Sequence, residues 1–227
     1  MSKYAIWKKW QSEDFGLTSI EESLYFNKIF NIFARKTKSI LEIGYGNGSF
    51  LGWCQNKKYN ITGIEQDNEL IKRAKKNRFT VFKSIKELSQ KNKFDLIVLF
   101  DVIEHIPQNN IKDYLESIKK LLNQKGKIFI RCPNGGSPFG LENQHGDLTH
   151  FTAITQTKIE YWSKILEFKI LYLGKDLQPL YRGKILRVPS ALIKRILYKI
   201  SKKIIKFIFS YPYELSDNLF CVLEKTD

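Results

Sequence analysis

Short apolar runs alternate along the chain with segments whose apolar residues recur at helical spacing. The runs of strand length cover residues 39–43, 60–65, 79–82, 94–100, 127–130, 168–173 and 218–223. Between them lie amphipathic stretches such as 109–126, in which Ile111, Leu115, Ile118 and Leu122 share one face and Gly126 is a stop signal. The run at 94–100 is apolar throughout, as expected for a strand in the middle of a parallel sheet. Seven strands with intervening helices predict an α/β fold, an open and mostly parallel sheet with helices on both faces.

No repeat, heptad array or low-complexity linker divides the chain, so we expect one domain over residues 1–227. Residues 1–35 predict an N-terminal helical cap, and 36–183 the core with a long loop at 132–152. Residues 184–211 predict a basic helical insert, and 212–227 the final strand. We expect the aromatic residues of the cap to serve mainly in packing: Trp7, Trp10, Phe15, Tyr25, Phe26, Phe30 and Phe33.

The basic insert contains the clearest amphipathic helix of the chain, over residues 189–211. Eight of its Leu, Ile and Phe residues form one continuous arc, and six Lys or Arg residues lie opposite. The favoured interpretation is a helix packed on the core with its lysine face in water. A peripheral membrane helix that lies on anionic lipid is an alternative, and contact with nucleic acid is another.

Composition narrows the class of protein. With 227 residues and 43% hydrophobic content, the chain can bury one sizeable core. It has no transmembrane-length apolar run and no signal-peptide core, and Cys54, Cys132 and Cys221 lack the spacing of a disulfide framework. We therefore expect a cytoplasmic protein, either free or peripheral at the inner face of the membrane. The net charge of +15 favours anionic partners.

A glycine loop follows the first predicted strand. Gly44, Gly46 and Gly48 alternate after Glu42, and Glu65 ends the next strand. A strand, a glycine loop and a later acid also form the dinucleotide fingerprint, but that loop has G-x-G-x-x-G spacing. Here a carboxylate precedes the first glycine, where it would repel a pyrophosphate and attract an ammonium group. The pattern therefore favours a nucleoside cofactor with a cationic amino-acid end.

All three histidines lie in loops that follow strands at one edge of the predicted sheet. His105 follows the 94–100 strand together with Asp101 and Glu104, whereas His145 and His150 lie in the 132–152 loop with Asp147. Open α/β sheets bind ligands at the carboxyl ends of their strands. This confinement therefore predicts that at least one of the histidines takes part in the chemistry.

The E-x-G-x-G-x-G segment resembles the first motif of the class I S-adenosylmethionine (SAM) methyltransferases, which have a Rossmann-like fold. The resemblance implies that SAM is the cofactor and S-adenosylhomocysteine (SAH) the product. Glu42 would meet the amino end of the methionine moiety, Glu65 the ribose hydroxyls, and Asp101 the methionine portion at the mouth of the acceptor pocket. The full set of cofactor-binding residues implied is Glu42, Gly44, Tyr45, Gly46, Gly48, Glu65, Gln66, Ser84, Ile85 and Asp101.

Gly146-Asp-Leu-Thr-His150 resembles the G-D-x-T-H segment of bacterial capsule and O-antigen methyltransferases, in the type 11/23 methyltransferase-domain group. In that family the loop closes over the acceptor hydroxyl. Gln144-His145 departs from it, since Arg-Tyr is expected there. Because a sugar hydroxyl is a poor nucleophile, the resemblance implies a base: His150 first and His145 second, with Asp147 as orienter.

A metal-binding interpretation applies to Asp101, Glu104 and His105, which partly resemble the E-x-x-E-H signature of ubiquinone-pathway and small-RNA 3′-end O-methyltransferases. Because the first acid is Asp, and because Glu104 and His105 can equally brace the loop, we expect no metal.

The expected function is therefore O-methylation of a sugar or phosphorylated sugar precursor of a bacterial surface polysaccharide. We expect the acceptor to be an anionic small molecule or glycan, and we expect no nucleic acid as partner. Alternatives are an RNA or quinone-type O-methyltransferase and a non-catalytic SAM-fold partner protein. The sequence leaves the oligomeric state open.

Overall fold

The protein is described by a computed structural model that covers residues 10, 13–88, 92–179, 188–210 and 214–226. The side chains at 188–191, 194 and 195 also fall outside this description, as does Trp7 of the predicted cap. The strands are β1 (Ser39–Ile43), β2 (Asn60–Ile64), β3 (Thr80–Phe82), β4 (Phe94–Phe100), β5 (Leu122–Pro133), β6 (Phe168–Lys175) and β7 (Asn218–Lys225). The helices are α1 (Ile20–Phe33), α2 (Ser49–Asn56), α3 (Asn68–Lys76), α4 (Gln108–Leu121), α5 (Leu141–His145), α6 (Gln156–Ile165) and α7 (Val188–Phe209).

The strands form one seven-stranded sheet in the order β3-β2-β1-β4-β5-β7-β6, which confirms the predicted fold class. Strands β1 to β5 pair in parallel, and β7 inserts antiparallel between β5 and β6. The order reverses on either side of β1 and β4. This reversal opens a crevice at the carboxyl ends of the central strands, where open α/β sheets bind ligands.

Apolar side chains cover both faces of the sheet, as the uninterrupted run of β4 predicts. One face packs Ile97 and Leu99 against α4 and α6, whereas the other packs Leu96 and Val98 against the aromatic side chains of α1 and α2. Phe26 of α1 stacks on Phe100 with ring centroids 5.9 Å apart. The expected packing role of the cap aromatics therefore holds for α1.

Helix α1 is held at the carboxyl edge of the sheet by its own N-terminus. Ser19 and Glu22 form a reciprocal capping box, which satisfies backbone donors of the first turn. Glu22 also accepts a hydrogen bond from the Ser49 hydroxyl at 2.7 Å. Because Ser49 begins the helix after the glycine loop, this contact joins the cap to that loop.

Two predicted boundaries differ from the structure. Helix α4 ends at Leu121 rather than continuing to Gly126, because Leu122 is extended and pairs with Phe94 as the first residue of β5. Helix α7 ends at Phe209, and residues 184–187 and 211 of the predicted insert lie outside the described residues. Among the described helices, none combines the length and the apolar character that crossing a bilayer requires.

The favoured interpretation of α7, an apolar face packed on the core, is wrong. Described apolar side chains of the arc, among them Ile200, Ile204 and Phe207, are exposed. The helix meets the body of the protein through a narrow stripe in which Tyr198, Lys202 and Ile205 are half-buried. The hydrophobic periodicity identified the helix correctly but could not identify which face meets the protein.

Candidate active site

A cavity of about 1400 Å³ lies at the carboxyl ends of β1, β2 and β4, beneath the N-terminal segment and α1. Nine of the ten sequence-predicted cofactor residues line it: Glu42, Gly44, Tyr45, Gly46, Glu65, Gln66, Ser84, Ile85 and Asp101. Gly48 does not line the cavity but precedes α2 as its N-cap. The N-terminal segment contributes Trp10, Leu17 and Thr18, and α1 contributes Tyr25.

The glycine loop adopts a backbone that side chains tolerate poorly. Gly44, Gly46 and Gly48 have φ of 72°, 52° and 73°, in the left-handed region that glycine enters without steric cost. A Cβ on Gly44 would also lie 2.6 Å from Val102 Cγ2, closer than real contacts allow. The turn therefore requires the alternating glycines, and the close packing of Val102 is a second requirement at Gly44.

Glu65 is fixed by backbone amides. Its Oε1 accepts hydrogen bonds from the amides of Gln66 at 2.7 Å and Asp67 at 3.2 Å, and its Oε2 accepts one from Gly46 at 3.1 Å. The carboxylate thus joins the glycine loop to the end of β2. A carboxylate accepts at several lone-pair positions, so this bracing leaves capacity to accept from a diol.

Glu42 is a buried acid at the end of β1. Its Oε2 has no hydrogen-bond partner among the described residues. Burial, and secondarily the nearby Glu65, raise the pKa of the Glu42 carboxyl well above its usual range. A buried carboxylate without a partner is costly unless a donor or a cation meets it. This part of the cavity therefore suits a cationic ligand group.

Asp101 follows β4 in a left-handed conformation, with φ of 56°, which Asp tolerates better than most residues. Its carboxylate forms a two-point ion pair with Arg131 of β5. The Arg131 guanidinium lies over the Phe100 ring, 5.0 Å from its centroid. The structure therefore gives Asp101 a resident counter-ion that the sequence did not predict.

The 132–152 loop folds onto the turn after β4. The amides of Phe151 and Thr152 donate to the Glu104 carbonyl at 2.9 and 3.0 Å. Asp147 Oδ1 accepts from the amide and the hydroxyl of Thr149, which fixes the bend of the Gly146–His150 segment. The loop and turn bring Glu104, His105 and His150 together.

His105 and His150 contact each other edge to face, with ring centroids 4.6 Å apart. His105 and Thr149 line the cavity, and Nδ1 of His105 lies 3.0 Å from the Thr149 carbonyl oxygen. His150 lies behind them, nearly buried. Its Nδ1 donates to the Gln144 carbonyl at 2.9 Å, and its Nε2 is 3.6 Å from Asp147 Oδ2.

Glu104 is fully buried beside this histidine pair. Neither of its carboxylate oxygens has a hydrogen-bond partner among the described residues, and Oε1 lies 3.9 Å from His150 Nε2. Burial, reinforced by the Asp101 charge, raises the pKa of Glu104 from its usual 4.5 to about 8. At neutral pH the proton on Glu104 therefore removes the cost of a buried charge.

The structure replaces one of the three candidate metal ligands, because His150 joins Glu104 and His105 where the sequence suggested Asp101. One potential ligand atom from each of Glu104, His105 and His150 lies within 4.8 Å of the others, whereas Asp101 is engaged by Arg131. This donor set could hold a divalent ion, although the burial that protonates Glu104 opposes it. The absence of a metal stays a prediction.

His145 is placed differently from His105 and His150. It ends the short helix α5 on the surface and is not among the residues that line the cavity. The sequence places His145 and His150 in one loop but cannot show which of them the loop folds inward.

The sequence analysis did not predict the roles of two residues that the structure places in the site, Arg131 and His105. Arg131 directly follows the 127–130 run, so its location at the carboxyl edge was available as a signal. His105 was counted among the candidate histidines but was not named as a base, although its loop follows the central strand. The donor set of the cavity, with the unpartnered Glu42 oxygen, the glycine loop and the braced Glu65, fits SAM.

Comparison with known proteins places this site in a family. The family described as a methyltransferase domain matches residues 21–166, more than half of the chain. A ubiquinone biosynthesis O-methyltransferase from Pelagibacter ubique is 29% identical over 106 residues. That match spans 44% of this chain and only 43% of the relative, so the chain aligns with less than half of that protein's length.

Solved structures share the fold over nearly the whole chain. A SAM-dependent methyltransferase from Archaeoglobus fulgidus superposes with a TM-score of 0.67 at 17% identity, covering 99% of this chain and all of that one. A plantazolicin methyltransferase in complex with SAH gives 0.63 at 19% identity, covering 99% and 90%. A 1,6-didemethyltoxoflavin-N1-methyltransferase from Burkholderia thailandensis gives 0.59 at 15%, covering 92% and 80%.

The family match, the sheet order and the glycine-loop cavity agree. The chain belongs to the methyltransferase-domain family and is a class I SAM-dependent methyltransferase.

Proposed function

We propose that this enzyme methylates a hydroxyl oxygen of a small acceptor, a sugar or sugar precursor of bacterial surface polysaccharide. The observation that carries the proposal is the His105–His150 pair at the acceptor end of the cavity, with Thr149 beside it. A hydroxyl must lose its proton as it is methylated, and an imidazole titrates in the physiological range.

The chain's own residues supply binding, orientation and proton transfer. SAM, when bound, supplies a methyl group already activated on its sulfonium sulfur. The glycine loop, Glu42 and Glu65 would hold the cofactor, and the 132–152 loop, through Thr149, would orient the acceptor. If Nδ1–H of His105 donates to the Thr149 carbonyl, Nε2 carries the lone pair that takes the hydroxyl proton.

His150 supports the His105 ring from behind the cavity wall, edge to face. Its Nδ1 donates to the Gln144 carbonyl, and its Nε2 lies 3.6 Å from Asp147 Oδ2, so both neighbours fix the orientation of the His150 ring. We therefore assign proton acceptance to His105 at the cavity wall, and positioning to His150 and Asp147.

The charges that line the cavity favour a neutral acceptor over a phosphorylated one. Asp14, Glu21, Glu22 and Asp101 line the cavity, and Arg131, which lines it too, is already paired with Asp101. Lys83 and Lys86 flank Ser84 and Ile85 on the far side. A phosphate would meet more carboxylates than free cations, so the anionic acceptor expected from the net charge is not supported by this lining.

A second acceptor class is a phenolic ring of quinone type. Leu17, Val102, Ile106 and Tyr114 are among the residues that line the cavity, and they offer apolar surface that suits a flat ring. The partial match to a ubiquinone biosynthesis O-methyltransferase points in the same direction.

The two classes are separated by a direct screen. The full chain is incubated with SAM and either neutral sugars and nucleotide sugars or dihydroxylated benzoates. SAH release is measured, and the position of the new methyl group is found by mass spectrometry and NMR. A methyl ether on a sugar supports the first proposal and one on a phenol supports the second. Turnover confined to amines or to RNA contradicts O-methylation of small acceptors.

A further inference from the structure

We infer that α7 is a lipid-docking element that lays the enzyme on an anionic membrane surface. The inference concerns a surface remote from the chemistry and stands apart from the proposed function. It rests on the exposure of the helix, on the arrangement of its lysines and on its attachment to the protein.

The apolar arc of α7 is exposed along the described length of the helix. At 100° per residue its members span about 160° of the helix surface. Their side chains are between 49% and 89% exposed: Leu192, Ile193, Ile196, Leu197, Ile200, Ile204, Phe207 and Ile208. Single exposed apolar residues are ordinary, but a contiguous arc of this size marks an interaction site.

Lysines border this arc. Lys199, Lys203 and Lys206 are exposed and lie along one border of the arc. From there their long side chains can reach the lipid headgroups while the neighbouring apolar side chains enter the membrane. The segment 177–213 contains nine Lys or Arg residues and no Asp or Glu. A broad apolar face with a cationic border is the pattern of helices that lie in the headgroup region of anionic bilayers.

The helix is attached to the protein by its other side, which leaves the arc outward. Lys202 pairs with Glu214 at 2.9 Å, and Lys175 Nζ lies 4.8 Å from the centroid of the Tyr198 ring. These contacts join the middle of the helix to the body of the protein, and the helix itself has 22 residues and a length of about 33 Å.

A lipid surface fits this face better than a second copy of the chain. A two-fold contact through α7 would bring one cationic border to an equally cationic one, and the segment offers no carboxylate to offset it. Anionic lipid supplies both the apolar medium and the opposite charge. Nucleic acid would match the lysines but would leave the Ile and Leu side chains in water.

Docking would also place the active-site cavity near the membrane. Tyr198 and Ser201 of α7 line a second cavity of about 600 Å³ together with Lys175, Asp176 and Gln178. Gln178 lines the main cavity as well. The attached side of α7 and the main cavity therefore lie on neighbouring parts of the molecule.

The test is sedimentation of the full chain with vesicles of phosphatidylcholine plus phosphatidylglycerol, against vesicles of phosphatidylcholine alone. We expect binding only to the anionic vesicles. K199Q/K203Q/K206Q should weaken it by about a hundredfold, since each lysine near such a surface contributes about 1 kcal/mol. I200E/I204E should weaken it by more than about tenfold, because two exposed apolar side chains no longer insert.

Control variants carry changes of the same kind on other helices. K72Q/K75Q/K76Q on α3 removes three exposed charges, and I32E on α1 adds a carboxylate where an isoleucine is 53% exposed. Both should bind within about threefold of wild type. Circular dichroism verifies that every variant is folded.

Three results would overturn the inference. The first is no binding of wild type to anionic vesicles, and the second is equal loss in the α3 and α7 lysine variants, which would reveal general charge attraction. The third is a dimer, seen in analytical ultracentrifugation without lipid, that I200E/I204E splits while vesicle binding is absent. That last result would assign the face to a second copy of the chain.

Discussion

The two ends of the active-site cavity are built in different ways. The cofactor end is shaped by backbone: three glycines at positive φ and a Glu65 carboxylate held by three amides. The acceptor end is shaped by side chains from separate loops, with Glu104, His105 and His150 meeting through folding of the 132–152 loop. The first end is local in sequence, and the second depends on long-range contacts. Because of this difference, we expect single substitutions at the acceptor end to change turnover and those at the cofactor end to change the affinity for SAH.

The largest expected effect comes from the histidine pair. H105A should lower turnover by about 10²–10⁴-fold, because the acceptor hydroxyl loses its base, with SAH affinity unchanged. H150A should cost less, about tenfold, because it removes only the group that positions His105. The measurement is kcat over a range of pH together with SAH binding by calorimetry. If H150A proves more damaging than H105A, His150 is the base and the assignment to His105 is wrong.

Ionisation of Glu104 should appear as pH-dependent stability. Its pKa is raised from 4.5 to about 8, so between these values the folded protein binds more protons than the unfolded chain. The free energy of unfolding therefore falls as pH rises through this window, in total by a few kcal/mol. E104Q keeps a neutral group of similar shape and should not show this fall.

Thermal unfolding of wild type and E104Q from pH 5 to about pH 9 tests the sign of this effect. A constant difference in Tm across that range would show that Glu104 does not titrate there. Added Mg²⁺ or Mn²⁺ is informative as well: if it raises the Tm of wild type above pH 8 but not that of E104Q, the cluster of Glu104, His105 and His150 holds a metal.

At the cofactor end, G44A should weaken SAH binding by at least about tenfold, since a left-handed alanine costs about 1–2 kcal/mol. Its Cβ must also displace Val102, from which it would lie only 2.6 Å. G136A is the matched control, because its Cβ would lie 3.5 Å from its nearest neighbours. Calorimetry with SAH measures both. Equal affinities in the two variants would show that the left-handed turn is not needed for the cofactor.

The smallest effect is expected for H145A. His145 lies on the surface outside the cavity lining, so turnover should stay within about twofold of wild type. A loss comparable with that of H105A would mean that α5 moves His145 onto the acceptor, and would revive it as a base.

The positions of the residues at the cofactor end could be predicted because a few neighbouring residues determine them. Glu42, the glycines and Glu65 follow from one strand, one turn and the next strand, and no distant contact is needed to place them. The sheet was predictable for a similar reason, since the uninterrupted run of β4 requires apolar cover on both faces.

The acceptor end could be predicted only as a set of candidates. The chain order of His105, His145 and His150 does not show that the first and third touch while the second faces water. Nor does the chain order show that Arg131 forms an ion pair with Asp101. The prediction of which face of α7 is buried failed for a related reason. Periodicity defines two faces of a helix, but tertiary contacts determine which of them packs against the protein.

The insertion of β7 between β5 and β6 has a consequence for how the chain acquires its structure. During synthesis β5 and β6 emerge first, yet they pair only through β7, so the inner edge of each stays unpaired until residues 218–225 appear. Phe220 and Val222, which are completely buried in the finished sheet, cannot stabilise the aromatic layer before then. An unpaired edge is a template for wrong partners. The nascent enzyme is therefore most prone to aggregation in the interval between β6 and β7, which α7 occupies.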